Sequence, residues 1–288
     1  MTTESNSLRG VVPMKARRAK IWADFATYLA LSVFSLAILL PILWVVRTSL
    51  APDVMAYEIP PRLVFRPTLQ NYIELFKVSH FEVHLRNSLA IALLSTALAT
   101  PIAALGGYGF ARYGSGGRAL QFAVLGTQML PGIVLILPIF AIYTRLRMVN
   151  TLQGITLAYL AFNLPVLLWL LMGFFQGIPV DLEEAAVIDG CTPIQAFFNV
   201  IFPISAPGIM SAAVLSFILC WNEFLFALIL TGSKTGTIPV AIAAMQTQRG
   251  VLIGKLAAAT TIGIVPMIII ALSLQKYLVR GLSFGAIK

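Results

Sequence analysis

The residues able to do proton or metal chemistry are few and unevenly placed. Of 11 acids in 288 residues, Asp181, Glu183, Glu184 and Asp189 share one stretch, 177–206, that holds no Lys or Arg. Glu223 stands alone inside an apolar block, beside Trp221, Asn222 and Phe224. Close carboxylates can share a proton or a cation, but here they read better as helix caps and a docking surface. His80 and His84 sit four apart and could face one way on a helix; with no acidic third ligand at helical spacing they make no metal site. Cys191 lies in a polar loop and Cys220 in an apolar block, with neither metal spacing nor a disulfide ladder. Gly232-Ser233-Lys234-Thr235 imitates the end of a phosphate loop. That loop needs G-x4-G-K-[ST] after a strand, and here position 228 is Leu, position 233 is Ser, and an apolar span precedes it. The chain is therefore expected to hydrolyse no ATP, to bind no cofactor or metal, and to be no enzyme.

The elements that position these residues are set by composition. Apolar residues make up 59% and charged residues 11%, against roughly 25% charged in a soluble domain. Mean hydropathy is +0.90. The apolar residues come in blocks of about 20 or more, enough to cross a hydrocarbon core about 30 Å thick. Spans are expected near 25–46, 88–111, 120–143, 154–176, 207–230 and 256–278. They lack the polar–apolar alternation of barrel strands, so the fold class is an all-α integral membrane bundle of six helices. The division is a tail over 1–24 and a transmembrane domain over 25–288. The net charge of +9 does not indicate nucleic acid, because the basic residues sit in loops and termini, as topology signals do.

The first apolar stretch is about 22 residues long, beyond the usual 7–15 of a signal peptide, so it is read as a retained span. Arg9, Lys15, Arg17, Arg18 and Lys20 precede it and place the N-terminus in the cytoplasm. Six spans return the C-terminus to the same side. The 20 Lys and Arg divide evenly between the two sides, so the orientation rests on that first cluster. Pro101, Gly106, Gly107, Pro131, Gly132, Pro138, Pro165 and Pro266 interrupt the spans. Kinks and close helix packing account for such residues, and so would breaks that line a cavity. Glu223 likewise has two readings. An ionisable group in a span lines a pathway or gate, or makes a structural bond between helices.

The stretch 177–206 reads as two short helices on the cytoplasmic side. Asp181 with Glu184 starts the first, Ala185 and Ala186 continue it, and Gly190 suits a left-handed end. Thr192-Pro193-Ile194-Gln195 is a capping box with Pro at the first helical position. Ile194, Phe197, Phe198 and Ile201 fall on one apolar face, with Pro203 and Pro207 ending the helix. A helix lying on the membrane would carry Lys or Arg. A plug for a groove on a partner protein fits better.

Glu184-Ala185-Ala186, three residues, Gly190, nine residues, then Val200-Ile201-Phe202-Pro203 resembles the E-A-A loop of ABC-importer permeases, with Val and Phe where the pattern has Ile and Leu. Trp221-Asn222-Glu223-Phe224 resembles the W-N-[DE]-F stretch of carbohydrate permeases. Gln275-Lys276 through Gly281-Leu282-Ser283-Phe284-Gly285-Ala286-Ile287-Lys288 resembles the tail of the second, shorter permease of maltose-type importers, less its last Gly.

That resemblance implies a type I importer bundle in the cell membrane, paired with a second permease as a heterodimer. It implies two copies of a cytoplasmic ATPase, which use ATP and Mg, and an extracytoplasmic substrate-binding protein. The ATPase would seat the 177–206 loop through Asp181, Glu183, Glu184, Ala185, Ala186, Asp189, Gly190, Phe197, Phe198 and Pro203, and touch Gly285, Ala286 and Lys288 of the tail. Trp221, Asn222, Glu223 and Phe224 are the candidate pathway lining, with Trp221 able to stack on a sugar face. The loop 231–255 would meet the binding protein. The cargo implied is a mono-, di- or oligosaccharide; the alternative is another polar solute such as glycerol phosphate or a polyamine.

Overall fold

The computed structural model describes residues 14–247 and 250–284. Helix α1 spans Met14–Ser49, and α2, Gln70–Lys77, lies in the connection that follows. Helix α3, Phe81–Tyr113, and α6, Leu152–Gln176, form the central pair. Small residues let them close. A Cβ on Gly107 would stand 3.0 Å from the Met172 amide nitrogen and 3.2 Å from the Leu168 carbonyl. In lipid, where apolar side chains gain little by leaving the solvent, such close backbone packing holds helices together. A polar bond reinforces it, Ser95 Oγ donating to the Thr156 carbonyl at 3.1 Å, and Asn163 Nδ2 of α6 reaches Cys220 Sγ of the helix Phe202–Asn222 at 2.8 Å. Helix α12, Ile253–Phe284, closes the bundle and carries α1 along its side.

Among the described residues, five helices are long and apolar enough to cross a membrane. The third expected span, near 120–143, is not one rod. It is α4, Gly117–Met129, and α5, Gly132–Arg145, bent by 95°. Each is about 20 Å long at about 1.5 Å per residue, too short alone for a core of about 30 Å. Pro131 lies at the break, where Leu130 is extended. Pro101, Pro138, Pro165 and Pro266 stay inside their helices.

The fifth span also differs from the expectation. Pro203 and Pro207 do not end a short helix. Helix α7, Asp181–Ile188, and α8, Pro193–Ala196, are present, but α8 runs through a π turn, Phe197–Ile201, directly into α9, Phe202–Asn222. Pro203 in a regular α-helix would collide with the carbonyl four residues back. The wider turn, in which the Phe202 amide donates to the Phe197 carbonyl, makes room for it, as π turns inserted in α-helices do. The connecting loop therefore shrinks to 177–192, and one helix of 30 residues runs from Pro193 to Asn222. It stops there; α10, Leu225–Leu230, and α11, Ile238–Ala243, follow as short pieces before α12.

Candidate functional site

At one end of the bundle, α7 and α8 present the acidic stretch. The Gly190 turn has φ of 93°, a left-handed conformation that glycine adopts without a Cβ clash. The capping box forms as read: the Gln195 amide donates to Thr192 Oγ1 at 3.3 Å, and the Thr192 amide to Gln195 Oε1 at 2.8 Å. Asp181 is not the cap. Val180 takes that place without a side-chain bond, and Asp181, Glu183 and Glu184 fill the first turn, where negative charge suits the helix dipole.

The acids do not share one surface. Asp181, Glu184, Ala185, Asp189 and Gly190 are exposed, whereas Glu183 and Ala186 turn inward. Glu183 is met by the last turns of α3. The Tyr108 hydroxyl donates to Glu183 Oε1, with Tyr113 at 3.4 Å. Arg112 Nε stands 3.0 Å from Oε2, an ion pair whose N–H points off the acceptor. Arg112 Nη2 also donates to the Ile178 carbonyl at 2.8 Å. The counter-charge of the acidic stretch thus lies about 70 residues upstream, on a different helix. The sequence held one clue: in the expected topology Arg112 flanks the acidic stretch on the same side of the membrane.

The apolar face is split as well. Phe197 and Ile201 are buried, while Ile194 is 71% and Phe198 52% exposed. The π turn offsets the helical phase, so i, i+3, i+4 and i+7 no longer align. Phe197 packs under the Tyr108 ring, centroids 4.7 Å apart. Pro203 is exposed beside Phe202. The outward face is therefore Leu182, Glu184, Val187, Ile188, Ile194 and Phe198.

Toward the other end, two helix breaks meet. Glu223 and Phe224 separate α9 from α10. The Glu223 carboxylate accepts from the Phe226 amide at 2.8 Å and the Ala227 amide at 3.1 Å. It caps its own chain and satisfies amides that lipid could not. The Tyr159 hydroxyl of α6 donates to the Glu223 carbonyl at 3.2 Å. The second break abuts it: a Cβ on Gly132 would lie 3.3 Å from Leu225. A cavity of about 520 Å³ opens beside Trp221, Asn222, Phe224, Pro239, Thr260 and Met267. Trp221 is not free to stack on a ligand. Its ring lies against Phe217, centroids 5.6 Å apart, its indole N–H donates to the Gly263 carbonyl, and 4% of it is exposed. Asn222 and Phe224 are the exposed members.

The remaining candidates separate. His80 precedes α3 in a left-handed conformation without a side-chain cap bond, its Nδ1 3.4 Å from Glu82 Oε1, while His84 is half-buried. Among the described residues no three potential ligands gather as a metal site. Gly232–Thr235 is a turn in which Thr235 Oγ1 donates to Asn150 Oδ1 at 2.9 Å. Gly285, Ala286 and Lys288 lie outside the described residues.

The chain is similar to known proteins in sequence and in fold. The family described as the binding-protein-dependent transport system inner membrane component matches residues 99–284. The trehalose transport system permease protein SugB of Mycobacterium tuberculosis is 40% identical over 281 residues, covering 96% of this chain and 100% of that protein. The trehalose/maltose transport system permease protein MalG of Thermococcus litoralis is 39% identical over 255 residues, covering 87% and 91%. A chain in the crystal structure of a bacterial ABC transporter that imports the acidic polysaccharide alginate has the same fold, with a TM-score of 0.70, 21% identity, and coverage of 90% of this chain and 98% of that one. The chain is thus a multi-pass membrane protein that belongs to the binding-protein-dependent transport system inner membrane component family.

Proposed function

We propose that this chain is one of two permease subunits of an ATP-driven carbohydrate importer and that it forms half of the pathway. One observation carries the reading: α7 and α8 present an exposed apolar and acidic face, and α8 continues as one 30-residue helix to the break at Glu223. Such a helix brings movement at a membrane surface to the interior without a flexible joint. ATP and Mg act on the partner ATPase, which seats Glu184, Ala185, Val187, Ile188 and Gly190 in a cleft; this chain holds neither. The N- and C-termini face the cytoplasm, so the α7 end is cytoplasmic and the loop 231–255 meets the binding protein outside. Asn222 and Phe224 line the pathway beside the two breaks, and Glu223 holds one break open by capping α10. Alternating access follows if the ATPase contacts differ between two states of the loop. The relatives named for trehalose and maltose transport support the carbohydrate class.

The test is reconstitution of the four-subunit assembly in proteoliposomes with its binding protein. ATP-dependent uptake of labelled trehalose or maltose, competed by other sugars, is the expected result. A binding protein that takes only glycerol phosphate or a polyamine would overturn the carbohydrate assignment.

A further inference from the structure

Movement of α7 has two ways into the bundle. The first is the α8–α9 helix. The second runs through Glu183. Helix α7 has eight residues, too few to hold a rigid position by itself, and only Glu183 and Ala186 of it are buried. Its side-chain tie to α3 is the Glu183 carboxylate, held by Tyr108 and Arg112. Tyr108 is a hub. Its ring touches Phe175 of α6 at 5.7 Å and Phe197 of the π turn at 4.7 Å, so α3, α6, α7 and the π turn meet on one side chain. Arg112 holds the Ile178 carbonyl just before α7 with the same guanidinium.

The two routes converge. Helix α9 reaches the Glu223 break directly. Helix α6, packed on α3, reaches it through Tyr159 on the Glu223 carbonyl and Asn163 on Cys220. If a push on α7 moved α9 alone, α9 would slide along α6, and the seam between them would absorb the movement. With α7 latched to α3, both sides of that seam move as one body.

Resting on the importer reading above, we infer that Glu183, Arg112 and Tyr108 form a transmission joint: positioning residues that set how much ATP hydrolysis is converted into transport. An ion pair with little solvent suits this role, because burial keeps it from being screened and its geometry is reinforced by neighbouring hydrogen bonds.

The experiment measures ATP hydrolysed per sugar delivered in proteoliposomes, for wild type, E183Q, R112Q, the double variant and Y108F, each with the ATPase and second permease present at equal amounts. E183Q and R112Q should keep the ATPase bound and raise the ratio about fivefold or more, the lower range of coupling between sites. The double variant should be no worse than either single one, because the two act as a pair. Y108F, which removes one hydroxyl and keeps the ring, should raise the ratio less; it also serves if the charge variants fail to accumulate. Hydrolysis and transport falling in proportion, with the ratio at its wild-type value in Y108F and in every charge variant that accumulates, would overturn the joint and leave a purely structural pair. A wild-type chain that recruits no ATPase would instead overturn the importer reading beneath it.

Discussion

Two carboxylates, Glu183 and Glu223, sit in unlike parts of the bundle and do opposite work. Glu183 is buried and bonds outward from its own segment, to residues of α3. Glu223 is half-buried, and its carboxylate accepts from two amides of α10 further along its own chain. The first fastens separate elements into one body. The second lets one element stop and restart inside the bundle. A charge in a low-dielectric site is thus used once to join and once to separate.

The largest expected effect tests the joining side. Glu183→Ala leaves the Arg112 guanidinium, 7% exposed, without its counter-charge. Breaking a buried pair this way costs about 3–5 kcal/mol, read as a fall in thermal unfolding temperature of the detergent-purified protein. The adjacent Glu184→Ala removes an exposed acid and should stay within about 0.5 kcal/mol. Equal effects at the two positions would erase the distinction between them.

Next comes the contact of α3 with α6, which lies between the two regions. Gly107→Ala places a Cβ 3.0 Å from a backbone nitrogen of Met172, which cannot rotate away. Overpacking of this kind costs about 1–3 kcal/mol and should lower the unfolding temperature. Gly173→Ala, where nothing lies within 4 Å of the added carbon, is the control.

Glu223→Ala should cost about 1 kcal/mol, the worth of a lost cap. Its signature is local: faster hydrogen exchange at the Phe226 and Ala227 amides, with those of α6 unchanged. Exchange that rises equally along α6 would make Glu223 a joining residue like Glu183.

The smallest effect lies at the start of α12, where it meets α2. Lys255 Nζ pairs with Glu74 at 2.7 Å. Hydrogen bonding to Lys255, then to Gln70, holds the Glu74 carboxyl below its ordinary value, partly offset by burial. A lowered carboxylate stabilises the folded state above the ordinary carboxylate range, and that contribution is lost as pH falls through the lowered value. Lys255→Met should therefore lower stability at neutral pH by under about 1 kcal/mol, since the pair is partly exposed. The difference from wild type should vanish in acid.

How much of this was legible in sequence follows from the range of each interaction. The capping box at Thr192 and the left-handed Gly190 are written within four residues and were readable. The apolar blocks announce the spans by length. Which proline breaks a span is not local: Pro131 does, while Pro101, Pro165 and Pro266 do not. Packing against other helices decides whether freed carbonyls find partners. The π turn at Phe197–Ile201 answers Pro203 downstream, and it undid the single apolar face expected from α-helical spacing. The inward turn of Glu183, against the outward turn of Glu184, depends on Arg112 across a folded distance that no periodicity records.

The most direct measurement is isolation of the tagged chain from its native membrane in mild detergent, with identification of what accompanies it. An ATPase and a second permease are expected, with the ATPase lost when residues 184–190 are scrambled and the chain still inserted. A chain recovered alone, moving its solute on an ion gradient without ATP, would contradict the importer reading.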